Sequence, residues 1–313
     1  MEKRRLGSSG LEVTLVGLGC NNFGGRTDFE QTQKVVHKTL DLGINLFDTA
    51  DVYSRGTSEE FLGRILGDRR KEIVLATKVA KPMDDAGLLR GSSRRYIMTA
   101  VEASLKRLHT DWIDLYQLHD PDPHTPIEET MRTLDDIVRQ GKVRYIGCSN
   151  FAAWQVVEAQ LTAKSSGWTA LISFQDDYNL LTRGIEQELV PVGVKYGMGL
   201  LPYYPLASGL LTGKYRKGEA LPAGARITNS KAYTERYLTG ENWEIVERLE
   251  AFASGRGHSL LELAFSWLAC KASVASIIAG ATKPEQVEQN AQAAAWVLSE
   301  EEMAEVDAIT QRA

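Results

Sequence analysis

Apolar residues along this chain follow two alternating patterns. Short continuous apolar runs are separated by longer stretches in which apolar positions recur three and four residues apart. The short runs read as buried strands and the longer stretches as amphipathic helices. A polar β-hairpin is predicted first, over 4–6 and 11–13, turned by Gly7-Ser8-Ser9-Gly10. Strand runs then fall at 15–19, 44–48, 73–78, 112–118, 143–148, 171–175, 199–203 and 276–279. Helical spacing occupies 31–42, 58–67, 94–108, 130–139, 154–163, 184–196, 243–252, 260–270 and 284–294. A terminal helix opens at Ser299, whose spacing to Glu302 is that of a capping box. Segment 207–240 is rich in Gly, Pro and charge and has weak periodicity.

Strict strand–helix alternation calls for a parallel sheet. Strands that are near-continuously apolar are buried on both faces. With no break in composition that reads as a linker, the pattern predicts an α/β chain forming one (β/α)8 TIM barrel over 1–313. The N-terminal β-hairpin and extra C-terminal helices are additions to it. The fallback is a doubly wound sheet, which needs a glycine-rich turn after its first strand. Gly17-Leu18-Gly19-Cys20-Asn21-Asn22 lacks the third glycine of that turn.

Charge and cysteine content narrow the partners. A formal net charge of −5 gives no electrostatic case for nucleic acid or an anionic membrane. The basic start, Met1 to Arg5, has no apolar h-region after it, and no uncharged run is long enough to cross a bilayer. Cys20, Cys148 and Cys270 lie far apart and are odd in number, which points to reduced thiols in the cytoplasm and to neither a disulfide framework nor a metal site. Trp168, Trp243 and Trp296 read as core or as interface, which leaves a homo-oligomer open.

The chemistry is expected at the strand tips. The second strand ends in Asp48, the third in Lys78, and His119 follows the fourth; Tyr53 comes five residues after Asp48. In a closed parallel barrel the functional residues sit at the C-terminal ends of the strands, and neighbouring strands lie about 4.8 Å apart. These four groups therefore converge on one mouth. A phenol of pKa near 10 is a poor acid at neutral pH. A lysine cation beside it is expected to lower that pKa, an aspartate to hold the lysine, and a histidine to orient a substrate oxygen. Such a set protonates a carbonyl oxygen as hydride reaches its carbon. Taken singly, each residue also has a structural explanation: a helix cap for Asp48, a snorkelling stem for Lys78, a turn for His119, packing for Tyr53.

These residues, read with their neighbours, resemble the aldo-keto reductase family. Asp48-x-x-x-x-Tyr53, Leu75-Ala76-Thr77-Lys78 and Asp114-Leu115-Tyr116-Gln117-Leu118-His119 match its catalytic tetrad, and the similarity covers nearly the whole chain. The resemblance implies an NADPH-dependent carbonyl reductase with its cofactor stretched across the barrel mouth. Ser149, Asn150 and Gln175 would hold the nicotinamide carboxamide, and Tyr203 would stack on the ring. Pro205, Leu206, Ser208 and Lys214 belong to the loop matching the pyrophosphate grip, with Arg226 reaching toward the adenosine end. Gly280, Thr282, Gln286, Gln289 and Asn290 match the adenosine site, beside Lys283.

Three positions depart from the family's pattern. Tyr204 replaces a usual small serine, Gln289 a common glutamate at adenine, and Gln286 a common arginine for the 2′-phosphate. NADP stands ahead of NAD on this reading. A small-molecule carbonyl substrate is expected to meet Asn22, Phe23, Met83 and Asp120, with 80–93 as a lid. The same likeness extends to potassium-channel β subunits, which share the barrel and cofactor site but serve largely as partners. A Schiff-base aldolase using Lys78 is a third reading.

Overall fold

The computed structural model describes residues 1–311, so the last two residues of the expected 1–313 span lie outside the described residues. Strands β1 (Lys3–Arg5) and β2 (Glu12–Thr14) pair antiparallel as the expected hairpin. Eight more form one sheet: β3 (Val16–Gly19), β4 (Leu46–Asp48), β5 (Val74–Val79), β6 (Ile113–Leu118), β7 (Val143–Ser149), β8 (Leu171–Asp177), β9 (Gly199–Tyr203) and β10 (Ile277–Gly280). Their order is β10-β3-β4-β5-β6-β7-β8-β9, and every pairing is parallel. The remaining gap is bridged at Leu200 and Val274, with Leu200 N–H donating to the Ser273 carbonyl at 2.8 Å and Ala275 N–H to the Leu200 carbonyl at 2.9 Å. This is the (β/α)8 TIM barrel, and its sequential strand order excludes the doubly wound sheet.

Alternation along each strand decides which residues face the barrel axis. Leu46, Val74, Ala76, Leu115, Leu201 and Ile278 pack into one interior cluster, which Leu6 and Val13 of the hairpin plug from below. Their strand neighbours Phe47, Leu75, Tyr116 and Leu118 point outward into the larger layer between sheet and helices. Two residues beyond the apolar interior layer, the same inward positions are polar: Asp48 on β4, Lys78 on β5 and Gln117 on β6. Strand stagger aligns them, because Asp48 pairs with Ala76 while Lys78 pairs with Gln117. An apolar floor thus carries a polar ceiling.

Most helices begin earlier than periodicity suggests, because their caps lie outside the apolar stripe. Asp28 accepts from Gln31 N–H and starts Phe29–Asp41; Thr239 accepts from Asn242 N–H and starts Gly240–Ser254. The helix expected over 184–196 is instead a 3-10 turn, Gly184–Glu186, and a short helix, Leu189–Lys195. Pro191 explains this, since proline is tolerated only within a helix's first turn. Segment 207–240 holds a 3-10 turn, Ala207–Thr212, and an unforeseen helix, Lys231–Tyr237, capped by Ser230. Trp168, Trp243 and Trp296 all pack partly buried against the core. No helix among the described residues is long and apolar enough to cross a membrane.

The hairpin meets the barrel floor through Gly7, whose φ of 61° is left-handed. A Cβ there would strike the Gly197 carbonyl and lie 2.8 Å from that of Ile172. Gly7→Ala is therefore expected to cost about 2 kcal/mol or more in urea denaturation, whereas Gly10→Ala, with nothing within 4 Å of its Cβ, should be near neutral.

Candidate active site

The polar ceiling of the barrel is built on an ion pair with no access to water. Lys78 is 0% exposed and donates from Nζ to Asp48 Oδ2 at 2.7 Å and to the Thr49 carbonyl at 2.8 Å. The other Asp48 oxygen, Oδ1, accepts from Gln117 Nε2 at 3.2 Å and Gln175 Nε2 at 3.0 Å. Both carboxylate oxygens are thus satisfied, which a buried charge requires. Lys78 is wholly spent in this network and does not line the cavity above it, which argues against a Schiff base at its amine.

Tyr53 stands at the start of a 3-10 turn, Tyr53–Gly56, directly over the pair. Lys78 Nζ lies 5.2 Å from the centre of its ring, and the His119 ring meets it edge-on at 5.8 Å. The four expected groups therefore converge. Their electrostatics differ from expectation at the phenol. Burial, then the Asp48 carboxylate, pushes the Tyr53 pKa well above 10, so the lysine does not lower it. The physical reason is that burial and the Asp48 charge outweigh any attraction from Lys78, whose amine is spent on Asp48. Tyr53 stays protonated, which is the form a proton donor must have. His119 goes the other way. Burial, then Lys78 and Lys81, lowers it to about 2, so its imidazole is neutral. Its Nδ1 is buried without a partner.

From this corner a cavity of about 800 Å³ runs across the barrel mouth. Asp48, Tyr53 and His119 line one end, and every residue expected to hold the cofactor lines the rest, from Ser149 on β7 to Asn290 on the helix Pro284–Ala293. Tyr203 donates its hydroxyl to Asn150 Oδ1 at 2.7 Å, and Asn150 Nδ2 donates to the His119 carbonyl and Asp120 Oδ1, both at 2.9 Å. Ser149 Oγ is buried and has no partner. Backbone strain gathers here: Asn150, Tyr204 and Ala80 have φ of 60°, 52° and 104°.

Arg26, Lys214 and Arg226 line the same cavity, and no carboxylate lies within 4.0 Å of any of them among the described residues. Burial, then Arg226, lowers the pKa of Arg26; burial, then Arg26 and Arg226, lowers that of Lys214. Three mutually repelling cations with no counter-ion among the described residues fit a polyphosphate ligand. Arg226 itself donates to Asn22 Oδ1 at 2.8 Å and lies over the Tyr204 ring, and no contact joins it to Gln286, Gln289 or Asn290. Gln286 folds back to accept from Thr282 N–H at 2.8 Å.

Of the four residues expected to meet the substrate, the structure brings one to the cavity wall. Asn22 lines the cavity, but Phe23 is fully buried in the core, where the aromatic ring following β3 finds apolar partners. Met83 and Asp120 do not line it either; Met83 closes a loop with Leu89, and Asp120 pairs with Lys81 at 3.3 Å. Lys81 falls within the expected 80–93 stretch and Tyr204 at a noted departure, whereas Arg26, Val52 and Asn21 are lining residues outside the expected set, the last two adjoining Tyr53 and Asn22.

A (β/α)8 barrel with a buried acid–base cluster beneath a cation-lined groove is thereby defined. Residues 15–311 match the model of the aldo/keto reductase family, and the chain belongs to that family. Similar proteins include a probable voltage-gated potassium channel subunit beta from Oryza sativa, 38% identical over 94% of this chain and 91% of its own. A putative aryl-alcohol dehydrogenase from Schizosaccharomyces pombe is 36% identical over 95% and 92%. An L-glyceraldehyde 3-phosphate reductase from Escherichia coli is 33% identical over 98% and 92%.

A neutral His119 leads to a direct expectation. Its ring resonances should show no titration step between pH 5 and pH 8 by NMR, with His119→Gln used for assignment. A midpoint near the ordinary 6.5 would contradict the burial argument.

Proposed function

We propose that this protein is an NADPH-dependent reductase of aldehydes or ketones, working in the cytoplasm as one domain. The observation that carries this reading is the placing of a protonated phenol and a neutral imidazole over the buried Asp48–Lys78 pair, at one end of a groove lined by unpaired cations. A bound nicotinamide supplies the hydride. Tyr53 donates the proton to the carbonyl oxygen, and an alkoxide, being the stronger base, takes it readily. Lys78, fixed by Asp48, stands 5.2 Å from the ring centre of the phenolate that remains. His119 holds the carbonyl oxygen by a neutral hydrogen bond. Ser149, Asn150, Gln175 and Tyr203 orient the nicotinamide. Arg26, Lys214 and Arg226 meet the phosphates, and their excess positive charge, with Lys283 nearby, favours NADP over NAD. The reductase and dehydrogenase names of the similar proteins support the reaction class.

A second reading is a cofactor-binding partner protein that does not turn over, favoured by the similar proteins named as potassium-channel β subunits. Turnover separates the two. With a panel of aldehydes, the wild-type protein should oxidise NADPH in steady state. Tyr53→Phe should lower kcat by about a hundredfold or more while the cofactor Kd, read by fluorescence titration, stays within a few-fold. Full turnover by Tyr53→Phe would remove the phenol from its role. A wild-type protein that binds NADPH but never consumes it would favour the partner reading.

A further inference from the structure

One buried acid beside the site has no part in the chemistry above. Asp51 lies between Asp48 and Tyr53, is 1% exposed, and leaves Oδ2 buried without a partner. Its Oδ1 accepts from Val52 N–H at 2.6 Å, and its own N–H donates to the Lys78 carbonyl at 3.3 Å. It therefore ties the residue before Tyr53 to the backbone of β5.

Behind it lies a second buried carboxylate, Glu59, on the helix Thr57–Leu66. Glu59 is fully engaged: Thr77 Oγ1 donates to it at 2.5 Å and Arg107 Nε at 2.7 Å. Arg107 reaches it by crossing Gly56, the end of the Tyr53 turn, where a Cβ would lie 2.8 Å from the arginine Cδ. Gly56 has φ 94°, and Ser54 and Arg55 are also left-handed. The whole turn carrying Tyr53 thus rests on this cluster. The groups facing Asp51 are Glu59 and Arg107 from the two flanking helices, Lys78 from β5, and the phenols Tyr96, Tyr116 and Tyr53. Tyr116 Oη is likewise buried and unpartnered.

Two carboxylates share one nearby guanidinium, and Glu59 has taken it. A second buried negative charge without its own cation is disfavoured, so Asp51 is the member left to hold a proton. Burial, then Glu59, raises it to about 8.

We propose that Asp51 is a positioning residue for Tyr53: as a buried neutral acid it fixes the 49–56 turn over the Asp48–Lys78 pair, and its ionisation at alkaline pH loosens that turn. This rests on the reductase reading for its catalytic consequence, but not for the state of the acid. Because the folded protein holds this proton more tightly than the unfolded chain, the stabilisation is complete below the ordinary carboxylate range and is lost as pH rises through about 8.

Three proteins decide it: wild type, Asp51→Asn and Asp51→Ala. Asn keeps an oxygen for Val52 N–H and cannot ionise; Ala loses both. Urea midpoints measured from pH 5 to pH 9 should fall toward alkaline pH more steeply for wild type than for Asp51→Asn. In carbonyl reduction at pH 6, Asp51→Ala should lose about tenfold in kcat with the cofactor Kd unchanged, and Asp51→Asn should recover most of it. The wild-type decline in kcat near pH 8 should be absent from Asp51→Asn. Parallel pH dependence of stability in wild type and Asp51→Asn would overturn the proposal, as would wild-type kcat in Asp51→Ala. A protein that binds cofactor but reduces no carbonyl would count against the reductase reading, and the stability comparison would still decide Asp51.

Discussion

A single ion pair sealed inside the barrel organises everything above it. Desolvating Asp48 and Lys78 costs several kcal/mol per ion, and their attraction offsets this only with good geometry and satisfied remaining lone pairs. Gln117, Gln175 and the Thr49 carbonyl meet that condition. Removing one partner would leave an unpaired buried charge, at a cost of about 3–5 kcal/mol. The pair is therefore held in place by what its loss would cost, and it forms a rigid platform tying β4, β5, β6 and β8 together.

That platform is neutral as a whole, and this shapes the cavity. Desolvation is the largest effect on the nearest titratable groups; with Asp48 it pushes the Tyr53 phenol up, and with Lys78 it pushes the His119 imidazole down. Both end uncharged. Free positive charge is displaced along the groove to Arg26, Lys214 and Arg226. The cavity thus has a neutral, hydrogen-bonding end suited to a carbonyl and a cationic reach suited to phosphates. One pair of residues on adjacent strands gives rise to that division.

The barrel was legible because strand alternation and helical spacing are both local signals. The tetrad positions were legible for the same reason, since an inward residue two places past a buried one remains inward, as Ala76 and Lys78 show. What escaped depends on contacts across the fold. Helix Lys231–Tyr237 has seven residues, too short and polar for a periodic signature. Phe23 turns into the core because of a loop geometry that no spacing reveals. The sign of the shift at Tyr53 required knowing that burial and the Asp48 charge together outweigh the lysine. Asp51 is one carboxylate among several in sequence, and only its lack of a partner distinguishes it.

The most direct measurement is a single-turnover reduction of an aldehyde by NADPH carrying deuterium at nicotinamide C4, run in H₂O and in D₂O and analysed by mass spectrometry. One deuterium at the carbinol carbon of the product, with the rate slowed by both substitutions, is the expected result, since carbon and oxygen are then attacked in one step over the Asp48–Lys78 platform. A folded, cofactor-saturated protein that yields no labelled alcohol would contradict it.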